Sequence, residues 1–81
     1  MIAAAERRTM LSVELCGPRV LARLEAIGVR GLRDLAGEDP WDLMHAVNLE
    51  AGRVIWRPPM AVLALQNLVD AANDAEGQDR G

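Results

Sequence analysis

The side chains best placed to do chemistry are Arg19 and Arg23, four apart and directly after the dipeptide Gly17-Pro18. A Pro following Gly suits the first turn of a helix, because its missing N–H would have had no intrahelical partner and its φ is already near the helical value. A helix starting there carries both arginines on one face beside its own N-terminus, where outward-pointing amides favour an anion. A phosphate oxygen held at the turn would lie within reach of both guanidinium groups, so Cys16, Gly17, Arg19 and Arg23 form a candidate phosphate site. Arg30 and Arg33 flank the next turn and would extend the patch, with Asp34 partly neutralising it.

The other reactive residue types do not assemble. His45 is the single histidine and lies far in sequence from the single cysteine, so neither a structural zinc site nor a triad can be built around it. Asp39 and Asp42 are explained as the N-cap and first turn of a helix opened by Pro40 rather than as a metal pair. All nine basic residues are Arg. The absence of Lys excludes Schiff-base chemistry through a lysine amine. The expectation is a protein that is not an enzyme and uses no cofactor and no metal. Trp41 and Trp56 have faces on which bases stack, but in a chain without Phe or Tyr they are expected first as core anchors, and Met44 and Met60 as gap fillers.

Helices must position these groups. A first helix is predicted from about Ala4 to Leu15, with Met10, Leu11, Val13 and Leu15 as its apolar set. A second is predicted over Pro18 to Ile27, where Val20, Leu21, Leu24 and Ile27 form one stripe and Gly28 is the stop. Leu32 and Leu35 support one short turn before Gly37. Asp39-Pro40 restarts a helix that turns Trp41, Leu43, Met44 and Val47 inward and ends near Ala51-Gly52. Arg53 to Pro58 is a loop whose Val54, Ile55 and Trp56 are too apolar for full solvation. Pro58-Pro59 starts a last helix with Met60, Val62, Leu63, Leu65, Leu68, Val69 and Ala72 as a broad apolar face. Residues 74–81 read as a frayed tail, leaving one domain over 1–81 with its core in about 6–73.

The spacing Gly17-Pro18-x-x-Leu21-x-x-Leu24-x-x-Ile27-Gly28-Val29, followed by Leu32-x-x-Leu35-Ala36 and Asp39-Pro40, resembles small stand-alone bacterial helix-hairpin-helix proteins of the pathogenicity-locus type, often labelled mitomycin-resistance proteins. It covers about residues 11–72. The resemblance implies an all-α, SAM-like domain of about five short helices built on one hairpin, with DNA binding inferred for the superfamily and no defined reaction. Cys16, Gly17, Pro18 and Arg19 match the hairpin's turn and the basic position after it. Two positions depart: Leu15 stands where the first Gly of the usual Gly-hydrophobic-Gly turn would be, and Leu21 where a small residue is usual.

Composition bounds the partners. Eighty-one residues make one small domain. The net charge of −3 disfavours a protein that coats nucleic acid. The charge is uneven, however: residues 1–33 hold six Arg against three Glu, and residues 34–81 hold three Arg against nine acids. That asymmetry fits a local nucleic-acid patch or a head-to-tail protein contact. One cysteine and no signal-like or membrane-length apolar run point to a reducing, cytoplasmic setting and no membrane. The leading expectation is weak, sequence-independent DNA binding at the Gly-Pro turn. The alternative is a protein-interaction or homodimer module in which Ile55 and Trp56 make the contact.

Overall fold

In a computed structural model, which describes residues 1–79, the chain is helical throughout its regular structure. Its order is α1 (Ala4–Leu11), α2 (Pro18–Ala26), a 3-10 turn (Leu32–Leu35), α3 (Pro40–Ala51) and α4 (Met60–Asp79), with no strand among the described residues. α4 is the spine: it packs against the 3-10 turn and against α3, while α2 joins α3 and α1 lies on α2. No helix among the described residues is long and apolar enough to cross a membrane.

α2 buries Leu21 and Leu24 on the predicted stripe, with Val20 and Ile27 half-buried beside them. Its end is fixed by two hydrogen bonds, from the Gly28 amide to the Glu25 carbonyl (3.0 Å) and from the Val29 amide to the Leu24 carbonyl (3.0 Å). Gly28 takes φ 95 in that turn. Buried Val29 and Leu24 provide the apolar contact that accompanies such a cap. α3 begins as its sequence dictates, with an Asp39 carboxylate oxygen accepting from the Trp41 amide at 2.7 Å and Pro40 in the first turn.

Several elements differ from the sequence-based expectation. α1 stops at Leu11 rather than Leu15, because Ser12 turns its hydroxyl back to the Thr9 carbonyl (2.6 Å) and the chain then reverses through Leu15. Leu15 has φ 69, the left-handed conformation that glycine takes readily. Leu15 therefore combines a glycine-like backbone with a leucine side chain. Trp41 is not inward: it is 48% exposed. On a helix advancing about 100° per residue, the centre of the arc holding Leu43, Met44 and Val47 lies roughly 110° away from it. Met60 and Leu63 are likewise outside the buried face of α4, which is Ala64, Leu65, Leu68, Val69 and Ala72.

Both ends of the domain extend past the expected limits. α4 continues through the segment expected to fray and reaches Asp79, so that element is long rather than short; residues 80–81 of the expected tail lie outside the described residues. At the other end Ile2, 2% exposed, belongs to the core. Glu25 holds this segment down, one carboxylate oxygen accepting from the Ile2 amide and from the Arg7 guanidinium, each at 3.1 Å.

Candidate nucleic-acid interface

Arg19 and Arg23 lie on the outer face of α2 together with Ala22 and Ala26, the i, i+3, i+4, i+7 set opposite the buried stripe. They form one wall of an open groove of about 600 Å³. The other wall comes from the loop after α3, which contributes Arg53, Ile55 and Trp56. The two alanines leave the floor low, so the guanidinium groups and the indole border a common space. None of the seven lining residues is acidic.

Asn48 builds the second wall. Its side-chain oxygen accepts from the Ile55 amide (3.0 Å) and the Trp56 amide (2.9 Å), and its side-chain amide donates to the Trp56 carbonyl (3.0 Å). Its own backbone carbonyl accepts from the Arg53 amide (3.2 Å) as the chain passes through Gly52 at φ 75. One residue therefore sets the course of Arg53, Ile55 and Trp56. A glycine at position 52 is what lets the chain turn back sharply enough from α3 to face α2.

The electrostatics of the groove are uncompensated. Arg19, Arg23 and Arg53 have no carboxylate within salt-bridge reach among the described residues, and the nearby Glu25 is engaged by Arg7 rather than by Arg23. α2 has no acidic residue in its first turn. Arg19 instead places a positive charge beside the positive end of the helix dipole, an arrangement that costs a few tenths of a kcal/mol until an anion is present.

At the turn itself, the amides divide into used and available. Cys16 donates to the Val13 carbonyl (3.1 Å), while Val20 and Leu21 donate to that of Gly17 (3.1 and 3.2 Å). Pro18 has no N–H, and the Gly17 and Arg19 amides make no backbone hydrogen bond among the described residues, so both are available to an acceptor. Cys16 is buried, and burial raises its thiol pKa above the ordinary value. Its place is in the core beneath the turn rather than against a ligand.

The structure does not bring Arg30 and Arg33 to this groove. The Arg30 amide is bound by the Asp34 carboxylate at 2.8 Å. Arg33 borders a different depression, lined also by Glu6, Thr9 and Glu76. Arg53 replaces them in the cluster. In the sequence Arg53 belongs to the acidic part of the chain, and nothing in local spacing reveals that the loop after α3 folds back on α2. His45 is exposed on α3 beside Leu49 and Val54, and no group of three metal-binding side chains occurs among the described residues.

A second groove begins where the first ends. It has a volume of about 330 Å³ and shares Ile55 and Trp56, but its remaining lining is almost wholly apolar: Leu15, Val20, Met60, Ala61, Ala64 and Leu65, with Arg57 at the edge. No family model, curated protein or solved structure matches this chain, and the role of its grooves is read from the residues that line them.

Proposed function

We propose that the protein is a non-catalytic, cytoplasmic DNA-binding module in which α1, the Gly17-Pro18 turn and α2 act as a helix-hairpin-helix, holding nucleic acid weakly and without sequence preference. The observation that carries this reading is the convergence of Arg19, Arg23 and Arg53 on one groove without a carboxylate, in a chain whose net charge is −3. Guanidinium groups bordering a single channel suit successive phosphates, and contacts to phosphate carry no base identity. The acidic surface elsewhere restricts binding to this face and keeps it modest.

Binding of a fluorescein-labelled duplex at low salt, followed by anisotropy, tests the reading. Arg19→Ala/Arg23→Ala/Arg53→Ala abolishes binding while circular dichroism stays unchanged, since all three side chains lie outside the core. Binding that ignores the triple substitution, or no binding by the wild type at low salt of either the duplex or the corresponding single strand, refutes it.

A second reading is favoured by the apolar groove: a protein-interaction or self-association module using Ile55 and Trp56, with Leu15 and Met60 exposed beside them. It predicts a concentration-dependent dimer in light scattering that Met60→Glu dissociates. A monomer at high concentration removes the homodimer.

A further inference from the structure

The two grooves meet along Ile55 and Trp56, and their chemistries are those of the two halves of a nucleotide. Trp56 lines both: the groove bordered by three arginines and an apolar recess of about 330 Å³, at the small end of the range that takes organic groups. From this juxtaposition we propose that the preferred ligand is single-stranded nucleic acid, its phosphates on Arg19, Arg23 and Arg53 and an unpaired base seated in the recess against Trp56. The inference rests on the nucleic-acid reading above and narrows it to the state of the strand.

Two arguments favour a single strand over a duplex. The first concerns the turn: Leu15 is 46% exposed and Met60 58% exposed at the mouth of the recess. A duplex laid along the arginines would press its phosphates and their water against these side chains, and desolvating charge against an apolar surface is costly. A single strand turns its bases towards them instead, covering apolar surface with an apolar face. The second concerns Trp56. Its backbone is held at both N–H and C=O by Asn48 and its half-buried side chain packs against the core, which lowers the ordering cost when a base arrives. Bases inside a duplex are stacked on one another and cannot reach it. The aliphatic lining offers no pattern of donors and acceptors, so the recess accepts any base, with Arg57 at its edge the one side chain able to favour some over others.

The test compares an oligo-dT of roughly 12 nucleotides, within the site size of small single-strand binders, with a duplex of the same length. It uses the full chain carrying Trp41→Phe, which leaves Trp56 as the sole tryptophan. The expected result is tighter binding of oligo-dT than duplex by about tenfold, with quenching of the Trp56 emission. Trp56→Ala removes that preference and Trp56→Phe, which keeps an aromatic face, retains most of it. Because Trp56 also packs against the core, quenching in the otherwise intact protein keeps the test decisive if Trp56→Ala unfolds. Equal binding of duplex, or oligo-dT binding that leaves Trp56 emission unchanged, overturns the single-strand assignment and leaves the arginine groove standing. Failure of both nucleic acids to bind defeats the underlying reading itself. Competition by poly-glutamate as strong as by oligo-dT overturns it in favour of an acidic protein partner.

Discussion

Leu15 gives a direct check on the turn that starts α2. Its φ of 69 makes it the single non-glycine residue with positive φ among those described. An L-residue held there costs roughly 1–2 kcal/mol, while at ordinary positions Gly is about 0.5–1 kcal/mol less stable than Ala. Comparing Leu15→Gly with Leu15→Ala cancels the loss of the leucine's own contacts in the apolar recess, because both variants lose them beyond Cβ. The backbone term then decides the order. Leu15→Gly is expected to be more stable than Leu15→Ala by about 1 kcal/mol, equivalent to about 5 °C in Tm for a domain this small. Urea unfolding followed by far-ultraviolet circular dichroism measures the difference. An alanine variant as stable as the glycine variant, or more so, refutes the left-handed turn and with it the path that leads into α2 and sets Arg19 at the groove.

Other consequences follow from single contacts. Asn48→Ala removes three hydrogen bonds to Ile55 and Trp56 and is expected to cost about 1–3 kcal/mol in urea unfolding and to weaken DNA binding, although Asn48 itself lies outside the groove's lining. Ile2→Ala empties a nearly enclosed site and is expected to cost about 2–4 kcal/mol in the same assay; a cost below about 0.5 kcal/mol contradicts the packing of the N-terminal segment. Burial raises the Cys16 pKa, so the unfolded thiol ionises first, near 9.0, and stability falls as pH rises above that value. Cys16→Ala is expected to flatten that fall in unfolding free energy measured across alkaline pH, and an unchanged slope contradicts it.

How far the sequence discloses the molecule follows from which forces are local. α2 and α3 are legible because their caps and stripes are written within a few residues: Gly17-Pro18 and Gly28 bracket one, Asp39-Pro40 and Gly52 the other. Trp41 departs from its expectation because size predicts burial, whereas the angular position set by its neighbours puts it outside. The tail differs from its expectation in being helical to Asp79. Polar composition after Asn73 suggests fraying, yet a helix already formed over the fourteen residues 60–73 extends at little cost per residue. Ile2 was hidden because its burial depends on Glu25, far along the chain.

The candidate site was half legible. Arg19 and Arg23 share a face by spacing alone, so the first wall could be drawn from the sequence. Arg53 and Trp56 join them only through the turn at Gly52 and the clasp of Asn48, both of which act on the direction of the chain. A sequence pattern records an Asn seven and eight residues before two apolar ones without revealing what they face. Arg30 and Arg33 show the reverse error: near the turn in sequence, they are carried away from it by the 3-10 turn.

The central claim is that three arginines share one nucleic-acid strand, and the salt dependence of binding tests it most directly. With three phosphates engaged, log K against log salt is expected to fall with a slope of about −2 for a single strand or about −2.7 for a duplex. Removing Arg53, the residue that the fold alone brings to the groove, should make that slope shallower by about 0.7–0.9. A slope unchanged by Arg53→Ala contradicts the account.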